Sequence, residues 1–414
     1  MDFNDTPEEA AFRAEARRWL EANAEPANAG DGDSALAEVT TPEMIAEAKA
    51  WQKKKADAGW ACITWPEEYG GRGATPMQNV IWNQEQAKFD APRDIYGIGI
   101  GMCGPTILTH GTDAQKARWI PKLISGEEVW CQLFSEPSAG SDLAGLRSTA
   151  VKEGDSWVVN GQKIWTTGAH FCDWGVLVVR TDPTVVKHAG LSYFVVDMHA
   201  PGVEIRPITQ INKGQGFNEV FFTDVRIPDD QRISEIGNGW AVSITTLMNE
   251  RQSIGAGGGL GTLDDLIGYS ANLEIDGRPA IEDRQVREQI ADFIVKARGL
   301  KNTSLRTLTA LSQGKTPGPE ASMGKLVGAA LQQDAASFAM DLAGASGALL
   351  DVDAAPDLVA WQERYLSLPG LRIAGGTDEV LRNIIAERVM GLPSDTRADK
   401  GIAFRDIPTG PPSG

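Results

Sequence analysis

Two glycines and a threonine stand directly before a segment with helical spacing in LRIAGGTDEVLRN, residues 371–383. Because glycine has no side chain, a ligand can approach the backbone amides at such a helix entrance closely. The pattern therefore predicts that Gly375 and Gly376 lie beside a bound group, although this stretch alone does not identify the group.

A glutamate and an arginine, Glu250 and Arg251, interrupt the apolar and small-residue helical pattern TTLMNERQSIGAGGGLG, residues 245–261. Such a pair commonly forms a structural ion pair or a solvated face. The neighbouring Leu247, Met248 and Ile254 predict instead a buried carboxylate, which binds protons more strongly and can act as a general base near neutral pH. From these residues alone, both interpretations stay open.

The segment FSEPSAGSD, residues 134–142, is predicted to be a loop that joins β-prone residues. Small residues at 138–141 leave backbone amides exposed, and Ser135 and Ser141 add hydroxyl groups. Such a loop can cradle a phosphate or the polar edge of a ring. An ordinary turn has the same composition, so this alternative also stays open.

Other catalytic motifs are not supported. The stretch GIGMCG, residues 99–104, matches a dinucleotide-binding fingerprint, but Pro105 follows at once and alternating βαβ units are missing. Its glycines are therefore predicted to allow close approach of helices or of a ligand chain. The four histidines never fall at metal-ligand spacing, and no serine lies in a Gly-x-Ser-x-Gly motif. We expect neither a metal site nor a serine nucleophile.

Composition limits the class of protein. The 414 residues predict two or three domains, and 42% hydrophobic with 23% charged residues is typical of a folded enzyme. A net charge of −17 argues against nucleic-acid binding. We predict a cytoplasmic protein, because the N-terminus is acidic and the four cysteines show no paired spacing. The lack of a long apolar stretch predicts that the protein has no stable membrane insertion.

The elements that must position these residues follow the order α, β, α. Thr6-Pro7 with Glu9 predicts a capped helix through Leu20, and Thr41-Pro42 predicts a second one through Ala58. Residues from about 129 to 233 are rich in β-formers. Within SWVVNGQKIWTTG, residues 156–168, Asn160-Gly161 predicts a two-residue hairpin turn. Residues 239–391 are again helical, and IPTGPPSG, residues 407–414, is expected to fray.

Four segments in this order together resemble the acyl-CoA dehydrogenase family: FSEPSAGSDLAGL, VVNGQKIWTTGAHFCDWGVLVVRTD, NEVFFTDVRIP and IAGGTDEVLRNIIAERVMGLP. The resemblance runs from about Pro7 to Pro393. It implies an α+β fold with an N-terminal helical domain (1–128), a middle antiparallel β domain (129–238), a C-terminal four-helix bundle (239–393) and a tail (394–414). It also implies FAD-dependent oxidation of an acyl-CoA to the trans-2-enoyl-CoA.

The resemblance assigns the FAD contacts by position. The flavin pyrimidine is expected at Phe134 and Ser135, and the pyrophosphate at Gly140 and Ser141. The remaining contacts are Trp165 against the isoalloxazine, Thr167 near its N5 atom, and Thr377 and Glu379 at the phosphate and ribityl region.

The resemblance also assigns the catalytic groups. Many family members carry the glutamate base just before the Gly-Thr pair, where this chain has Gly375. A second group carries it on the preceding helix, at the position of Glu250. Gly375 then keeps the role of amide donor to the thioester oxygen, and Ser141 and Arg251 are implied as substrate contacts.

The implied partners are an electron-transfer flavoprotein and further subunits in a homotetramer or dimer, or in a mixed tetramer. Two departures keep alternatives open: Asp341 replaces a family glutamine in DLAGASG, and NLEIDGRPAIEDRQVREQ, residues 272–289, replaces an arginine-containing segment. The alternatives are a non-catalytic or partly catalytic subunit of a mixed tetramer, and an acyl-CoA oxidase.

Overall fold

A computed structural model describes residues 5–27, 40–255, 260–312, 318, 322–349, 356–394, 396 and 399–408. The N-terminal part contains helices α1 (Pro7–Glu21), α2 (Pro42–Asp57), α3 (Pro76–Gln86), α4 (Gly104–His110) and α5 (Asp113–Ser125). Thr6 and Thr41 accept the backbone N–H groups of Glu9 and Met44, respectively. The two predicted helix starts are confirmed.

The glycines of residues 99–104 serve close packing. Residues Gly99–Cys103 form a π-helical turn that leads into α4. A side-chain carbon on Gly104 would lie 2.1 Å from the Trp65 ring, and one on Gly99 would lie 3.1 Å from Leu123. The prediction that these glycines permit close approach is confirmed for the protein's own side chains.

The middle part is a mixed sheet. Its strands are β1 (Trp130–Leu133), β2 (Thr149–Glu153), β3 (Ser156–Thr167), β4 (Trp174–Arg180), β5 (Leu191–Asp197), β6 (Val203–Ile208), β7 (Phe217–Pro228) and β8 (Arg232–Ile233). The order is β6-β7-β3-β2-β4-β5-β8, with β1 beside β4. Most neighbours are antiparallel, as predicted, while β1 and β2 each pair with β4 in parallel. Strands β4 and β5 are buried along nearly their whole length, which explains their continuous apolar sequences.

The predicted hairpin at Asn160-Gly161 is wrong. The turn between β2 and β3 lies six residues earlier, at Gly154-Asp155, because Glu153 pairs with Ser156. Asn160 and Gly161 instead lie inside β3, at a bulge opposite β7. The Asn160 side chain donates to Asp224 Oδ1 and accepts from the Asp224 amide, both at 2.9 Å. Pairing with β7 on both sides of the bulge keeps the strand extended where the local sequence favours a turn.

The C-terminal part is helical and is built around α9. Its elements are α6 (Gly239–Gly255), α7 (Leu260–Asn272), β9 (Glu274–Ile275), β10 (Arg278–Pro279), α8 (Arg284–Ser312), α9 (Ser322–Ala343), α10 (Pro356–Ser367) and α11 (Asp378–Ile384). Its core contains Leu266, Phe293, Leu331, Ala336 and Trp361. The divergent segment 272–289 contains the small hairpin β9–β10, whose turn residues Asp276 and Gly277 both have positive φ, and the start of α8.

The described tail residues pack on the sheet. Ala403 forms a β-bridge with Val186, and the Phe404 ring lies 3.3 Å from the Arg180 guanidinium carbon. Of the segment expected to fray, 409–414 lie outside the described residues. Within the described ranges, no helix combines the length and the apolarity needed to cross a bilayer.

Candidate active site

A buried ion pair anchors the loop 134–142. Lys163, on β3, donates to the Phe134 carbonyl at 3.0 Å and to Glu136 Oε1 at 2.8 Å. Glu136 in turn accepts the backbone N–H groups of Arg147 (2.6 Å) and Ser148 (3.0 Å). Burial by itself would raise the pKa of Glu136, but the Lys163 charge and these hydrogen bonds hold that pKa below its usual value. Charged groups that are shielded from water thus hold the loop in place.

The outer part of the same loop is open. Gly140 and Ser141 are exposed, and a side-chain carbon built on Gly140 would meet no atom within 4 Å. Phe134 is buried edge-on against Tyr193, and the Ser135 carbonyl accepts the Ile164 amide at 2.9 Å. This last bond brings the loop beside the residue before Trp165. The predicted flavin residues on the loop and on β3 therefore lie together.

Trp165 combines exposure with an unusual backbone. Its side chain is 55% exposed, and its φ of 61° lies in a region that residues other than glycine rarely adopt. It lies at a second irregularity of the β3–β7 pairing and packs edge-on against Phe217, with ring centroids 6.0 Å apart. Backbone strain of this kind concentrates at ligand sites. An exposed aromatic face beside open amides fits a planar ring with a polar edge, as a flavin has.

Glu250 lies on α6 and is half-buried. Gln132 of β1, two residues before Phe134, donates from Nε2 to Glu250 Oε2 at 3.3 Å. This contact connects the glutamate to the strand that leads into loop 134–142. The predicted buried neighbours are only partly found: Leu247 packs against the core, but Met248 is 48% exposed. The side chains of Arg251 and Ile254 lie outside the described residues. The surroundings of Glu250 are therefore more polar than the sequence indicates.

The Gly375-Gly376 turn has a left-handed backbone at both residues, with φ of 66° and 97°. This conformation requires glycine here and leaves the amides uncovered by side chains. Thr377 caps α11, because its Oγ1 accepts the Val380 amide at 3.3 Å. Glu379 is exposed and lies 3.7 Å from Arg382. Thr377 thus has a structural role in addition to the predicted contact with the cofactor.

Two cations hold this turn. Lys325 of α9 donates to the Gly376 carbonyl at 2.5 Å, and Arg372 donates to Asp378 Oδ2 from Nε (2.7 Å) and Nη2 (2.5 Å). Burial holds the pKa of Lys325 below its usual value, although the Asp378 carboxylate opposes this shift. The Gly376 carbonyl therefore contacts a buried lysine. Sequence analysis missed Lys325, whose signal was a lone lysine in the small-residue stretch SMGKLVGAALQQ.

A cavity of about 480 Å³ opens beside Arg372. Its lining includes Ile211, Gln333, Asp334, Ser337 and Tyr365. Asp341 lies exposed near the end of α9. Within the described ranges, no group of three or more His, Cys, Asp or Glu side chains could hold a metal ion.

Comparison with known proteins agrees with this geometry. Three family models match in order: Acyl-CoA dehydrogenase, N-terminal domain (residues 6–127), middle domain (131–225) and C-terminal domain (237–390). Acyl-CoA dehydrogenase IpdE1 of Mycobacterium tuberculosis is 38% identical over 397 residues, covering 93% of this chain and 98% of that protein.

Two solved structures have the same fold over almost the whole chain. The Tcur3481-Tcur3483 steroid ACAD is 26% identical with a TM-score of 0.81, covering 95% of this chain and 100% of that chain. The ChsE4-ChsE5 complex from Mycobacterium tuberculosis is 29% identical with a TM-score of 0.75, at the same coverage of both chains.

Proposed function

The chain belongs to the acyl-CoA dehydrogenase family, and we propose that Glu250 is the base that removes the α-proton of its acyl-CoA substrate. The family is FAD-dependent and oxidises a CH–CH bond of the acyl group. FAD held by this chain would supply the acceptor for the β-hydrogen as hydride, and the product would be the trans-2-enoyl-CoA. The observation that carries the proposal is the Gln132 contact, which links the half-buried Glu250 to the strand entering loop 134–142.

The Gly375 amide is proposed as the donor to the thioester oxygen. A thioester α-proton is too weakly acidic for a carboxylate unless negative charge on that oxygen is stabilised as it develops. Gly375 has no side chain to cover its amide, and its left-handed backbone is fixed within a turn held by Lys325 and Arg372. Removal of the α-proton requires a proton acceptor and an oxygen-directed donor, which the proposal assigns to α6 and to the turn before α11.

FAD is proposed to lie against Trp165 with its polar edge at loop 134–142. The open space at Gly140, the exposed Ser141 and the exposed, strained Trp165 support this location. Thr167 is exposed at the end of β3, two residues beyond Trp165. Thr377 and Glu379 at the start of α11 are proposed to contact the ribityl and phosphate region.

The Glu250→Gln variant tests the base. Glutamine keeps the size and polarity of the side chain but cannot accept the proton, so turnover is expected to fall by about 10²- to 10⁴-fold. The variant should remain yellow, because the proposed FAD contacts are untouched. Glu288→Gln, an exposed change on α8, is the matched control and should keep full activity. Retained turnover in Glu250→Gln would remove this residue from the mechanism.

For the substrate we propose a bulky, ring-bearing acyl group. The similarity to a solved structure described as a steroid ACAD and the absence of a side chain at Gly375 support it. Anaerobic bleaching of the flavin should be fastest with ring-bearing acyl-CoA thioesters in a panel that also contains short, long and branched chains. Preferential bleaching by straight chains would contradict this assignment.

An electron-transfer flavoprotein is proposed as the electron acceptor. The alternative of an oxidase predicts fast reoxidation of the reduced flavin by oxygen, which stopped-flow mixing with aerated buffer measures directly. A mixed assembly, as in the ChsE4-ChsE5 complex, remains a second candidate for the oligomer. It predicts that the chain purified alone binds FAD weakly and gains it when a partner chain is added.

A further inference from the structure

Lys325 is buried to an extent that is rare for lysine. It is 3% exposed, and lysine is almost never so buried without a specific partner. Its Nζ donates to the Gly376 carbonyl, which belongs to a residue 51 positions further along the chain. The lysine therefore ties α9 to the turn before α11.

This hydrogen bond acts on a segment that needs external support. Two consecutive glycines have more backbone freedom than any other pair of residues. Arg372 and Asp378 fix the two ends of the turn, while Lys325 holds the Gly376 carbonyl between them. The direction of the neighbouring Gly375 amide therefore depends on the Lys325 contact.

The lysine also supplies charge at this point. The charged groups that act on it come from three elements: Glu250 of α6, Arg372 before the turn, and Asp378 and Glu379 of α11. Charges shielded from water interact more strongly than exposed ones. A negative charge that forms on a thioester oxygen at Gly375 would gain from the same ammonium.

We propose that Lys325 is a positioning residue for α-proton removal: it orients the Gly375 amide through the Gly376 carbonyl and provides positive charge to the site. The proposal rests on the function proposed above for Glu250 and Gly375. In this role Lys325 touches neither the substrate nor FAD.

The test uses a 3-thiaacyl-CoA, in which sulfur replaces the β-carbon. Its α-proton can pass to the base, but there is no β-hydrogen to transfer, so ionisation is observed without turnover. Ionisation of the bound analogue beside the flavin is followed as long-wavelength absorption across a pH series. This readout reports on enolate stabilisation, which a purely structural lysine would not alter.

Three substitutions separate the contributions of Lys325. Lys325→Met removes donor and charge, Lys325→Gln keeps a donor without the charge, and Lys325→Arg keeps both. In the two neutral variants, the analogue should ionise at least about tenfold less favourably, which moves its titration up by about one pH unit. Lys325→Arg should restore much of the loss. Lys301→Met, a change at an exposed lysine on α8, is the matched control. The analogue bound to this variant should ionise at the same pH as in the unchanged protein.

FAD content and melting temperature are measured on every variant to show that each is folded. The proposal would be overturned if the analogue bound to either folded neutral variant ionised at the same pH as in the unchanged protein. Failure of both neutral variants to fold, while Lys325→Arg folds, would overturn it in favour of a purely structural role. If the unchanged protein neither ionises the analogue nor bleaches with any acyl-CoA, then the proposed function fails, independently of Lys325.

Discussion

At the scale of single residues, the candidate site is built on positions that are costly for the fold. Trp165 adopts a left-handed backbone and exposes more than half of its side chain. Lys163 and Lys325 are buried cations, each held by contacts with residues far away in the sequence. A strained backbone and a buried cation each carry an energetic cost that contacts elsewhere in the fold must offset. They are explained together if Trp165 contacts a bound ligand and the two lysines hold the segments that bind it.

Trp165→Ala should weaken FAD binding while leaving the fold intact. Stacking of aromatic rings contributes about 0.5–1.5 kcal/mol beyond simple burial, so the Kd for FAD is expected to rise about tenfold. The melting temperature of the FAD-free protein should change little, because the removed ring is more than half exposed. Fluorescence titration with FAD measures the Kd. Val151→Ala, an exposed change on β2, serves as control, and equal Kd values for the two variants would contradict the stacking role.

At the scale of elements, the bulge in β3 shows how tertiary pairing overrides a local turn signal. A side-chain carbon on Gly161 would lie 2.1 Å from Ser148 Oγ and 2.7 Å from Ser148 Cα. Rotation of the serine hydroxyl cannot relieve the second contact. Glycine at this position therefore allows β3 to pass close to the segment that Glu136 holds through the Ser148 amide.

Gly161→Ala should destabilise the protein by more than Gly154→Ala. Both glycines have positive φ, so alanine at either position pays the backbone cost of about 1 kcal/mol. Only at Gly161 does the added carbon also collide with neighbouring atoms; at Gly154 no atom lies within 4 Å. Overpacking adds about 1–3 kcal/mol. Urea denaturation of the two variants gives the comparison, and equal losses would show that the bulge relaxes around the new methyl group.

At the scale of the whole molecule, charged networks hold helices together in a chain of net charge −17. Glu85 of α3 is fully buried and binds Arg13 and Arg17 of α1 as well as Lys88. Burial would raise the pKa of Glu85, but the hydrogen bonds from Arg17, Lys88 and Arg13 outweigh it and hold the pKa at about 2. The packing of α1 on α3 therefore depends on an ionised carboxylate.

The sign of the pH dependence follows from this lowered pKa. Glu85 contributes stability above its ordinary pKa of 4.5, and that contribution is lost as pH falls toward about 2. Glu85→Gln should cost about 3 kcal/mol at pH 7, since it breaks a buried ion pair. The difference from the unchanged protein should shrink between pH 4.5 and pH 2.

Denaturation at pH 7 and pH 3 measures this prediction. Glu47→Gln, an exposed change on α2, controls for the loss of one negative charge. The opposite result is a free energy of unfolding that differs between Glu85→Gln and the unchanged protein by the same amount at both pH values. That result would show that the carboxylate charge does not hold α1 against α3.

The sequence by itself determined the helix starts at Thr6-Pro7 and Thr41-Pro42, the order of helical and β-rich parts, and the residue types at the candidate site. These features depend on interactions within a few residues, or on patterns that many residues share. Tertiary structure alone decided that Asn160-Gly161 forms a bulge, that Met248 is exposed, and that Lys325 reaches the Gly376 carbonyl. For the bulge and for Lys325 the deciding partner lies far away along the chain, and the exposure of Met248 likewise depends on how distant elements pack around α6, so these features are fixed only when the whole chain packs.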